Sequence, residues 1–540
     1  MNERQVRSGS EVAFRCDIEK IKPNGRMEVY GMSKNLMVVG TASNVGKSIL
    51  VTALCRIFAQ DGFRVAPFKA QNMSLNSAAT PSGREIGRAQ AAQAEAAGVL
   101  ANEHMNPVLL KPMHGMRTQI ILQGRLYEAV TARDYFHNQK QALWEAVVDS
   151  FRFLSERYEI IVMEGAGSPV EMNLKPYEIA NMRAAEMADA AVILVADIER
   201  GGVFASVVGT LHLLEPYERA RVRGIVINKF RGDPALFDDG VRWLEKFTGI
   251  PILGVLPYIE NLGIDEEDSM GLESTRYKNL KMEKHRQQEL VQIAIVQLPH
   301  MANFTDFDPL FLEEGVHVYF CEKPQEIKQA HAVILPGTKN TMVDLLWLKE
   351  NGWVTPLLDA RREGKLMVGI CGGYQMLGQK ILDPDHRESE ISEMDGLGFF
   401  DTITKICAEK RTVLVEGTLL GKYEGLDVAG YEIHMGITEY GSESQPFAHV
   451  KEWNEKKLRA EGNLSRDGLV IGTYLHGILH NDRFRNALLS EIRERHRLPP
   501  QASTGSMAQI RADSYDRLAE IVRQHLDVRK IYHMLGVRTD

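Results

Sequence analysis

The chain is poor in cysteine, and its cysteines show no pairing pattern. They are widely spread along the 540 residues, and no two have the C-x-x-C spacing: Cys16, Cys55, Cys321, Cys371 and Cys407. An odd number at such separations excludes a disulfide framework and gives no zinc-ligand spacing. We therefore expect a protein of a reducing compartment, the cytoplasm.

Long apolar runs and blocks of basic residues are also missing. The most apolar long stretch, "AAVILVADIERGGVFASVVGTLHLL", is broken by Asp197, Glu199 and Arg200, whereas a membrane span needs about 18 or more uncharged apolar residues. The formal net charge is −8, and Lys and Arg are not clustered. This charge pattern argues against a nucleic-acid partner, and the hydropathy argues against a membrane partner.

Apolar strand-like runs alternate with longer helix-like stretches through most of the chain, which predicts an α/β protein with parallel sheets. Residues 1–31 have no hydrophobic core of a signal peptide and are expected to be a disordered extension, unless Met32 is the true start. We predict a first α/β domain over 32–270 and a polar connector over 271–290. A second α/β domain follows over 291–485, and a helical tail over 486–540.

The first domain opens with a phosphate-binding loop in "LMVVGTASNVGKSILVTALCRIFAQDG". Strand, glycine-bounded turn and helix follow in the order in which backbone N–H groups cradle phosphates. Five residues separate Gly40 from Gly46, where the strict pattern has four. The loop assigned to ATP comprises Gly40, Thr41, Ser43, Asn44, Val45, Gly46, Lys47 and Ser48. The alternative is a strand–helix turn without a ligand.

Magnesium and the acceptor substrate are assigned to strand ends near this loop. In "YEIIVMEGAG", Glu164 ends a predicted strand, and with the Ser48 hydroxyl it is the expected Mg²⁺ ligand; an ordinary loop carboxylate is the alternative. Asn228 in "GIVINKFRGD" also follows a strand, with a spacing that resembles the base-recognition loops of P-loop proteins, and it is assigned to ATP; a plain turn is the alternative. The loop "PFKAQNMSLNSAAT" is either structural or an acceptor site that uses Lys69, Gln71, Asn72 and Ser74.

The second domain contains a possible nucleophile in "LMVGICGGYQMLG". Cys371 follows a strand and is flanked by glycines in the G-x-nucleophile-x-G pattern, although free cysteines are also common as small buried hydrophobes. A base must come from elsewhere in the chain, and His476 in "VIGTYLHGILH" is the candidate. Backbone N–H groups at Gly337 and Gly372 are expected to bind the oxyanion.

These features resemble the class I glutamine amidotransferase domains over about residues 290–485. The resemblance implies a flavodoxin-like fold and a Cys–His pair that hydrolyses glutamine through a thioester and releases ammonia. Members with a complete triad often read His-Pro-Glu, but Gly477 and Ile478 follow His476 here. The third member is therefore either absent or drawn from another part of the chain. His434 in "GYEIHMG" is either structural or part of the glutamine pocket.

The strings "GTASNVGKS", "FKAQNMSLNSAAT", "GREIGRAQAAQAEAAG" and "MNPVLLKP" resemble the cobyric acid synthase family. That resemblance implies a P-loop amidoligase domain followed by the amidotransferase domain, with ATP, Mg²⁺, glutamine and a corrinoid as partners. It implies amidation of the b, d, e and g carboxylates of adenosylcobyrinic acid a,c-diamide through acyl phosphates, in cobalamin biosynthesis. The alternatives are a cobyrinic acid a,c-diamide synthase, a CTP synthase and a P-loop ATPase of the partitioning type.

Overall fold

The computed structural model describes residues 33–113, 117–131, 140–259, 290–501 and 504–538. The predicted extension at 1–31, the question of a start at Met32, and the connector at 271–290 except for its last residue lie outside these ranges. Within them no helix combines the length and the apolar character that crossing a bilayer requires.

The described part of the first half of the chain builds two sheets and a hairpin. Its strands are β1 (Lys34–Gly40), β2 (Val65–Phe68), β3 (Gln71–Met73), β4 (Ser77–Ala79), β5 (Glu85–Gly87), β6 (Val108–Pro112), β7 (Arg117–Leu122), β8 (Arg125–Thr131), β9 (Ile160–Glu164), β10 (Ala191–Asp197), β11 (Val222–Phe230) and β12 (Ile252–Pro257). Its helices are α1 (Lys47–Gln60), α2 (Arg88–Ala96), α3 (Lys140–Ser155), α4 (Met182–Met187), α5 (Val203–Leu213), α6 (Pro216–Arg219) and α7 (Asp238–Thr248).

The main sheet of this half is parallel, in the order β12-β11-β10-β1-β9-β2. Its central strands are almost entirely apolar because helices cover both faces, which is the usual state of a parallel sheet. A smaller sheet, β3-β6-β7-β8, and the hairpin β4-β5 stand beside it. The order brings the carboxyl ends of β1, β9 and β2 together, and this is the edge at which open α/β sheets bind ligands.

The second half contains two six-stranded sheets. Its strands are β13 (Val291–Val296), β14 (Val316–Cys321), β15 (Ala332–Leu335), β16 (Leu366–Ile370), β17 (Lys380–Leu382), β18 (Glu393–Asp395), β19 (Thr402–Leu419), β20 (Asp427–Tyr440), β21 (Ala448–Glu452), β22 (Arg459–Glu461), β23 (Asn463–Leu464) and β24 (Val470–Thr473). The helices are α8 (Asp308–Leu312), α9 (Thr341–Glu350), α10 (Val354–Arg362), α11 (Gly372–Leu377), α12 (Asp482–Arg495), α13 (Met507–His525) and α14 (Val528–Leu535).

The strands β14-β13-β15-β16-β24 run parallel in the order 2-1-3-4-5 of a flavodoxin-like sheet, and β23 adds an antiparallel edge. The predicted fold class, a P-loop parallel sheet followed by a flavodoxin-like amidotransferase domain, is confirmed. A second, mostly antiparallel sheet contains the long hairpin β19-β20. This hairpin reaches the first half, where Tyr431 and Ile433 pack on Ala79 of β4.

The C-terminal helices α13 and α14 pack on the first half of the chain rather than on the domain that precedes them. Leu518 and Val522 of α13 are fully buried in the apolar cluster that includes helix α1. Tyr532 of α14 lies against Phe58 of α1, with 5.3 Å between the ring centroids. The tail therefore completes the core on one face of the phosphate-loop sheet.

We expect Leu518→Ala to lower the free energy of unfolding by about 2–5 kcal/mol, the usual cost of truncating a fully buried leucine. Leu236→Ala is the matched control, because the Leu236 side chain is 83% exposed and its loss leaves no cavity. Urea unfolding of both variants, followed by circular dichroism, measures the difference. Equal midpoints for the two variants would contradict the packing described for α13.

Candidate active sites

The phosphate loop lies between β1 and α1. Gly46 has a φ of +98°, and a Cβ there would lie 2.1 Å from Nδ2 of Asn228, so glycine is required on both backbone and steric grounds. The Lys47 ammonium donates to the carbonyl oxygens of Ala42 at 3.0 Å and Gly167 at 3.1 Å. The ammonium is thus held across the loop. The oxygens of a nucleotide's terminal phosphate would replace these carbonyls as its hydrogen-bond acceptors.

Glu164 is the centre of a buried polar cluster beside this loop. Its carboxylate accepts from Ser48 Oγ at 2.8 Å, from Lys69 Nζ at 2.9 Å and from Gln93 Nε2 at 2.6 Å. The side chain of Glu164 is 0% exposed, so the alternative of an ordinary exposed loop carboxylate does not hold. A hydroxyl and a carboxylate in contact at the carboxyl end of β9 are the oxygen donors that Mg²⁺ prefers.

The remaining residues assigned from sequence to ATP and the acceptor differ in their surroundings. Asn228 donates to the carbonyl of Val45 at 2.8 Å, so its amide braces the phosphate loop. Asn72 is buried, and its amide donates to Gln90 at 2.9 Å. Ser74 is buried too, whereas Gln71 is half-buried on β3. Among the four acceptor candidates, Lys69 directly contacts Glu164 through its side chain.

Cys371 occupies a sharp turn between β16 and α11. Its φ of +53° and ψ of −112° are strained values of the kind found at nucleophile elbows. The turn needs small neighbours, since a Cβ at Gly373 would lie 2.1 Å from the carbonyl oxygen of Leu335. The thiol lies in a pocket, 3.5 Å from the carbonyl of Ile433.

His476, three residues beyond the end of β24, lies beside Cys371 and is held by a carboxylate that the sequence analysis did not identify. Nδ1 of His476 is 2.7 Å from Oδ2 of Asp306, and Oδ1 of Asp306 accepts from the Gly477 N–H at 2.9 Å. Burial lowers the pKa of His476, but the charge and hydrogen bond of Asp306 and a further contribution from Cys371 outweigh it and raise that pKa to about 10.

Asp306 thus occupies the place of the glutamate that the sequence lacks after His476. The sequence left two alternatives for the third member of the catalytic triad: it is absent, or it comes from another part of the chain. The structure shows a carboxylate from another part of the chain. Asp306 lies in the loop after β13, 170 residues before the histidine. The sequence did contain a signal for it, since the carboxylates of "NFTDFD" follow shortly after an apolar strand. The loops after parallel strands meet at one edge of a sheet, so a carboxylate in such a loop can reach a histidine that follows another strand.

Asn303 links this site to the first half of the chain. Its Oδ1 accepts from the backbone N–H of Ser77 at 2.8 Å, and its Nδ2 lies 3.3 Å from Nε2 of His476. A single buried amide therefore contacts both the imidazole and strand β4. Its sequence context gave no indication of this role.

The pocket around Cys371 includes one of the two predicted oxyanion glycines. A Cβ on Gly337 would lie 3.2 Å from Cε1 of His476 and 3.6 Å from Cβ of Cys371, so this backbone faces both side chains. Gly372 begins helix α11 directly after the thiol. His434 also lines the pocket, with its ring stacked on Tyr474 at 3.8 Å.

Two family models match the chain, one over each half. Residues 36–272 match the CobQ/CobB/MinD/ParA nucleotide binding domain, and residues 292–484 match the CobB/CobQ-like glutamine amidotransferase domain. The protein from Citrobacter koseri named cobyric acid synthase is 46% identical over 511 residues, covering 93% of this chain and 99% of that relative. The protein of the same name from Caldanaerobacter subterraneus subsp. tengcongensis is 47% identical over 512 residues, with the same coverage.

One similar solved structure is that of a glutamine amidotransferase. The match covers 37% of this chain and 98% of that chain, with 17% sequence identity and a TM-score of 0.28.

Proposed function

Because the chain belongs to the cobyric acid synthase family, we propose that it uses ATP and glutamine to amidate the b, d, e and g carboxylates of adenosylcobyrinic acid a,c-diamide. The product is adenosylcobyric acid, an intermediate of cobalamin biosynthesis. The observation that carries the proposal is the presence, in one chain, of a phosphate loop with Glu164 and of Cys371 beside His476. The cytoplasmic location stays a prediction.

In the glutaminase half, the Cys371 thiolate attacks the side-chain carbonyl of glutamine. Backbone N–H groups at Gly337 and Gly372 receive the oxyanion. The His476 imidazolium, stabilised by Asp306, gives its proton to the departing ammonia, and water then hydrolyses the thioester. Both Asp306 and His476 are buried, so their ion pair acts with little screening by water.

In the ATP half, a carboxylate of the corrinoid attacks the γ-phosphorus of ATP, and an acyl phosphate forms as ADP leaves. Phosphoryl transfer needs mainly positioning and charge stabilisation. Lys47 supplies a positive charge at the phosphates. Lys69 lies beside Glu164, where the acceptor carboxylate would enter.

Magnesium fits the donor set of this half. Ser48 and Glu164 would hold the ion, because a hydroxyl and a carboxylate in contact, next to a phosphate loop, match its preference for oxygen ligands. The ion would neutralise negative charge on the phosphates. Lys69 shares Glu164 with Ser48, so it is positioned to remain near the phosphates when the ion binds.

The choice of acceptor substrate distinguishes the proposed function from its closest alternative, a cobyrinic acid a,c-diamide synthase, which forms two amides. We expect the chain to incorporate nitrogen into adenosylcobyrinic acid a,c-diamide and to leave cobyrinic acid, which lacks the a and c amides, unchanged. Mass spectrometry of the corrinoid after incubation with ATP and glutamine measures both. Amidation of cobyrinic acid at two positions, with no reaction of the diamide, would refute the proposal.

We expect Asp306→Asn to reduce glutamine hydrolysis by about 10²–10⁴-fold, because the imidazolium loses the charge that stabilises it. The pKa of His476, which Asp306 holds near 10, should fall, so the imidazolium is lost at a lower pH than in the wild type. The alkaline limb of the pH–rate profile should move to lower pH accordingly. Asp308→Asn, two residues further along the chain at the first position of α8, is the control.

A wild-type pH profile in Asp306→Asn would contradict the role given to this carboxylate. Ammonium-dependent amidation should be unchanged in the variant, which separates loss of the glutaminase from loss of the fold.

A further inference from the structure

Glu461, the last residue of β22, is a buried carboxyl outside the pocket of Cys371. The residue is 1% exposed, and it does not line the pocket. Its Oε1 accepts the backbone N–H of Tyr474 at 2.6 Å. The hydroxyl oxygen of Thr473 lies 3.0 Å from Oε1 and 2.9 Å from Oε2. Glu461 therefore bonds two consecutive residues where β24 ends.

These contacts extend toward both members of the catalytic pair. The Leu475 N–H donates to Oγ1 of Thr473 at 3.0 Å, so the carboxyl holds residues 473–475, directly or through Thr473, just before His476. The backbone carbonyl of Thr473 also accepts the N–H of Cys371 at 2.8 Å. One carboxyl outside the pocket thus holds the short segment on which the nucleophile and the histidine both depend.

The surroundings of Glu461 favour its protonated form. Within the described ranges no cationic side chain forms an ion pair with it. Arg459 of the same strand donates instead to Glu432 of β20 at 2.7 Å, and Arg411 donates to that carboxylate at 2.9 Å. Burial and the charge of Glu432 raise the pKa of Glu461 to about 8. A buried carboxyl without a cationic partner keeps its proton, because the ionised form would be costly there.

The other ionisable groups around Glu461 do not supply a compensating charge. Within the part of the chain that the structure describes, they are one carboxylate, one arginine already bound to that carboxylate, and three tyrosines. Burial raises the pKa of each tyrosine above its ordinary value, so all three stay neutral where Glu461 titrates. The five groups are Glu432 and Tyr440 of β20, Arg459 of β22, Tyr374 of α11, and Tyr474 directly after β24.

We propose that Glu461 is a positioning residue of the glutaminase and that it acts as a neutral carboxylic acid. The inference rests on the proposed function. In this form Oε1 accepts from Tyr474, and the O–H group on Oε2 donates to Oγ1 of Thr473, so both bonds are made without a buried charge. The proton stays on Glu461 during glutamine hydrolysis, because Cys371 and His476 are the groups that exchange protons with the substrate.

Loss of this proton should loosen the segment before His476. An ionised Glu461 has no proton to donate to Thr473, and the Glu432 carboxylate would repel it. Glu432 follows Tyr431, whose backbone pairs with that of His476 at 2.8 and 3.1 Å, so the repulsion would act on both strands that hold the histidine. Glutamine hydrolysis should therefore fall severalfold in a step near pH 8, and a second fall at higher pH follows loss of the imidazolium.

Two substitutions of Glu461 test this role through the rate of glutamate release. Glu461→Gln keeps an acceptor for Tyr474 and a donor for Thr473, so kcat should stay close to the wild-type value and the step near pH 8 should disappear. Glu461→Leu removes both bonds and should lower kcat by about 10²-fold, because a displacement of about 1 Å at a catalytic group has that cost. KM for glutamine should change little in either variant, since Glu461 does not line the pocket.

Two comparisons separate positioning from a general role in folding. Glu416→Gln is the matched control, because Glu416 is a partly exposed carboxylate of β19 that pairs with Lys451 at 2.8 Å, and its pH profile should match the wild type. Corrinoid amidation from ammonium chloride uses the other half of the chain and should persist in Glu461→Leu.

Three results would overturn the proposal. The first is a kcat as low in Glu461→Gln as in Glu461→Leu, which would show that the charge of a carboxylate is needed. The second is a step near pH 8 that is missing from the wild type or remains in Glu461→Gln. The third is an equal loss of ammonium-dependent amidation in Glu461→Leu, which would leave only a structural role. A wild-type chain that releases no glutamate from glutamine would instead refute the proposed function.

Discussion

Replacement of Cys371 by alanine is expected to abolish amide formation from glutamine and to leave amide formation from ammonium chloride intact. Removing the nucleophile of a catalytic triad costs about 10⁴-fold or more, because no other group can form the covalent intermediate. Cys371 lies in a strained turn beside His476, so the loss should fall entirely on glutamine hydrolysis. Glutamate release and corrinoid amidation, measured in the same reaction, report the two halves separately.

Cys407→Ala is the matched control for this substitution. Cys407 is half-buried on β19, with its thiol near the carbonyl of Lys405, and it does not line the pocket of Cys371. It should behave as the wild type with either nitrogen source. Glutamine-dependent synthesis that persists in Cys371→Ala would show that another group releases the ammonia.

Lys47→Ala should give the complementary result, with loss of ATP turnover and of amide formation from both nitrogen sources. The Lys47 ammonium is held across the phosphate loop by two carbonyl groups, so its charge is already in place for the phosphates. Removing one such preorganised charge lowers the rate by about 10²–10³-fold. ADP release in the presence of the corrinoid is the measurement.

The glutaminase half supplies the check on folding. Glutamine hydrolysis in Lys47→Ala should continue, and Lys246→Ala, an exposed lysine of α7, should keep full activity. ATP turnover at the wild-type rate in Lys47→Ala would exclude this loop as the phosphate site.

Features encoded in short stretches of sequence were predictable. The phosphate loop and the cysteine elbow each consist of a strand, a glycine-bearing turn and a helix that are contiguous in the chain, so Gly46 and Gly373 indicated the turns directly. The alternation of strands and helices predicted parallel α/β sheets, and the resemblance to class I glutamine amidotransferases added the flavodoxin-like fold of the second domain. The strand end at Glu164 was also readable, because carboxyl ends of parallel strands face ligands.

Features formed by distant segments were not predictable. Asp306 and His476 are 170 residues apart. They meet because the segments that follow β13 and β24 lie at the same edge of one parallel sheet. Asn303 depends on contact between the two halves, which no local pattern encodes. The sequence predicted a helical tail over 486–540, but it did not indicate that Leu518 packs beside α1.

Helix α2 and the strand before it show a different limit. Glu85, Gly87, Gln90 and Gln93 all lie in "GREIGRAQAAQAEAAG", which the sequence analysis used only as a mark of family resemblance. Glutamine and arginine among alanines are ordinary on an exposed helix face. Only burial, seen in the structure, makes Gln90 and Gln93 unusual.

The count of amide groups in the final product tests the account most directly. The purified chain is incubated with adenosylcobyrinic acid a,c-diamide, ATP, magnesium and glutamine until the reaction stops, and the corrinoid is analysed by mass spectrometry. The account predicts four successive one-nitrogen additions, each accompanied by one ADP and one glutamate. A product that stops at a different number of additions, or a diamide that is not amidated, would contradict it.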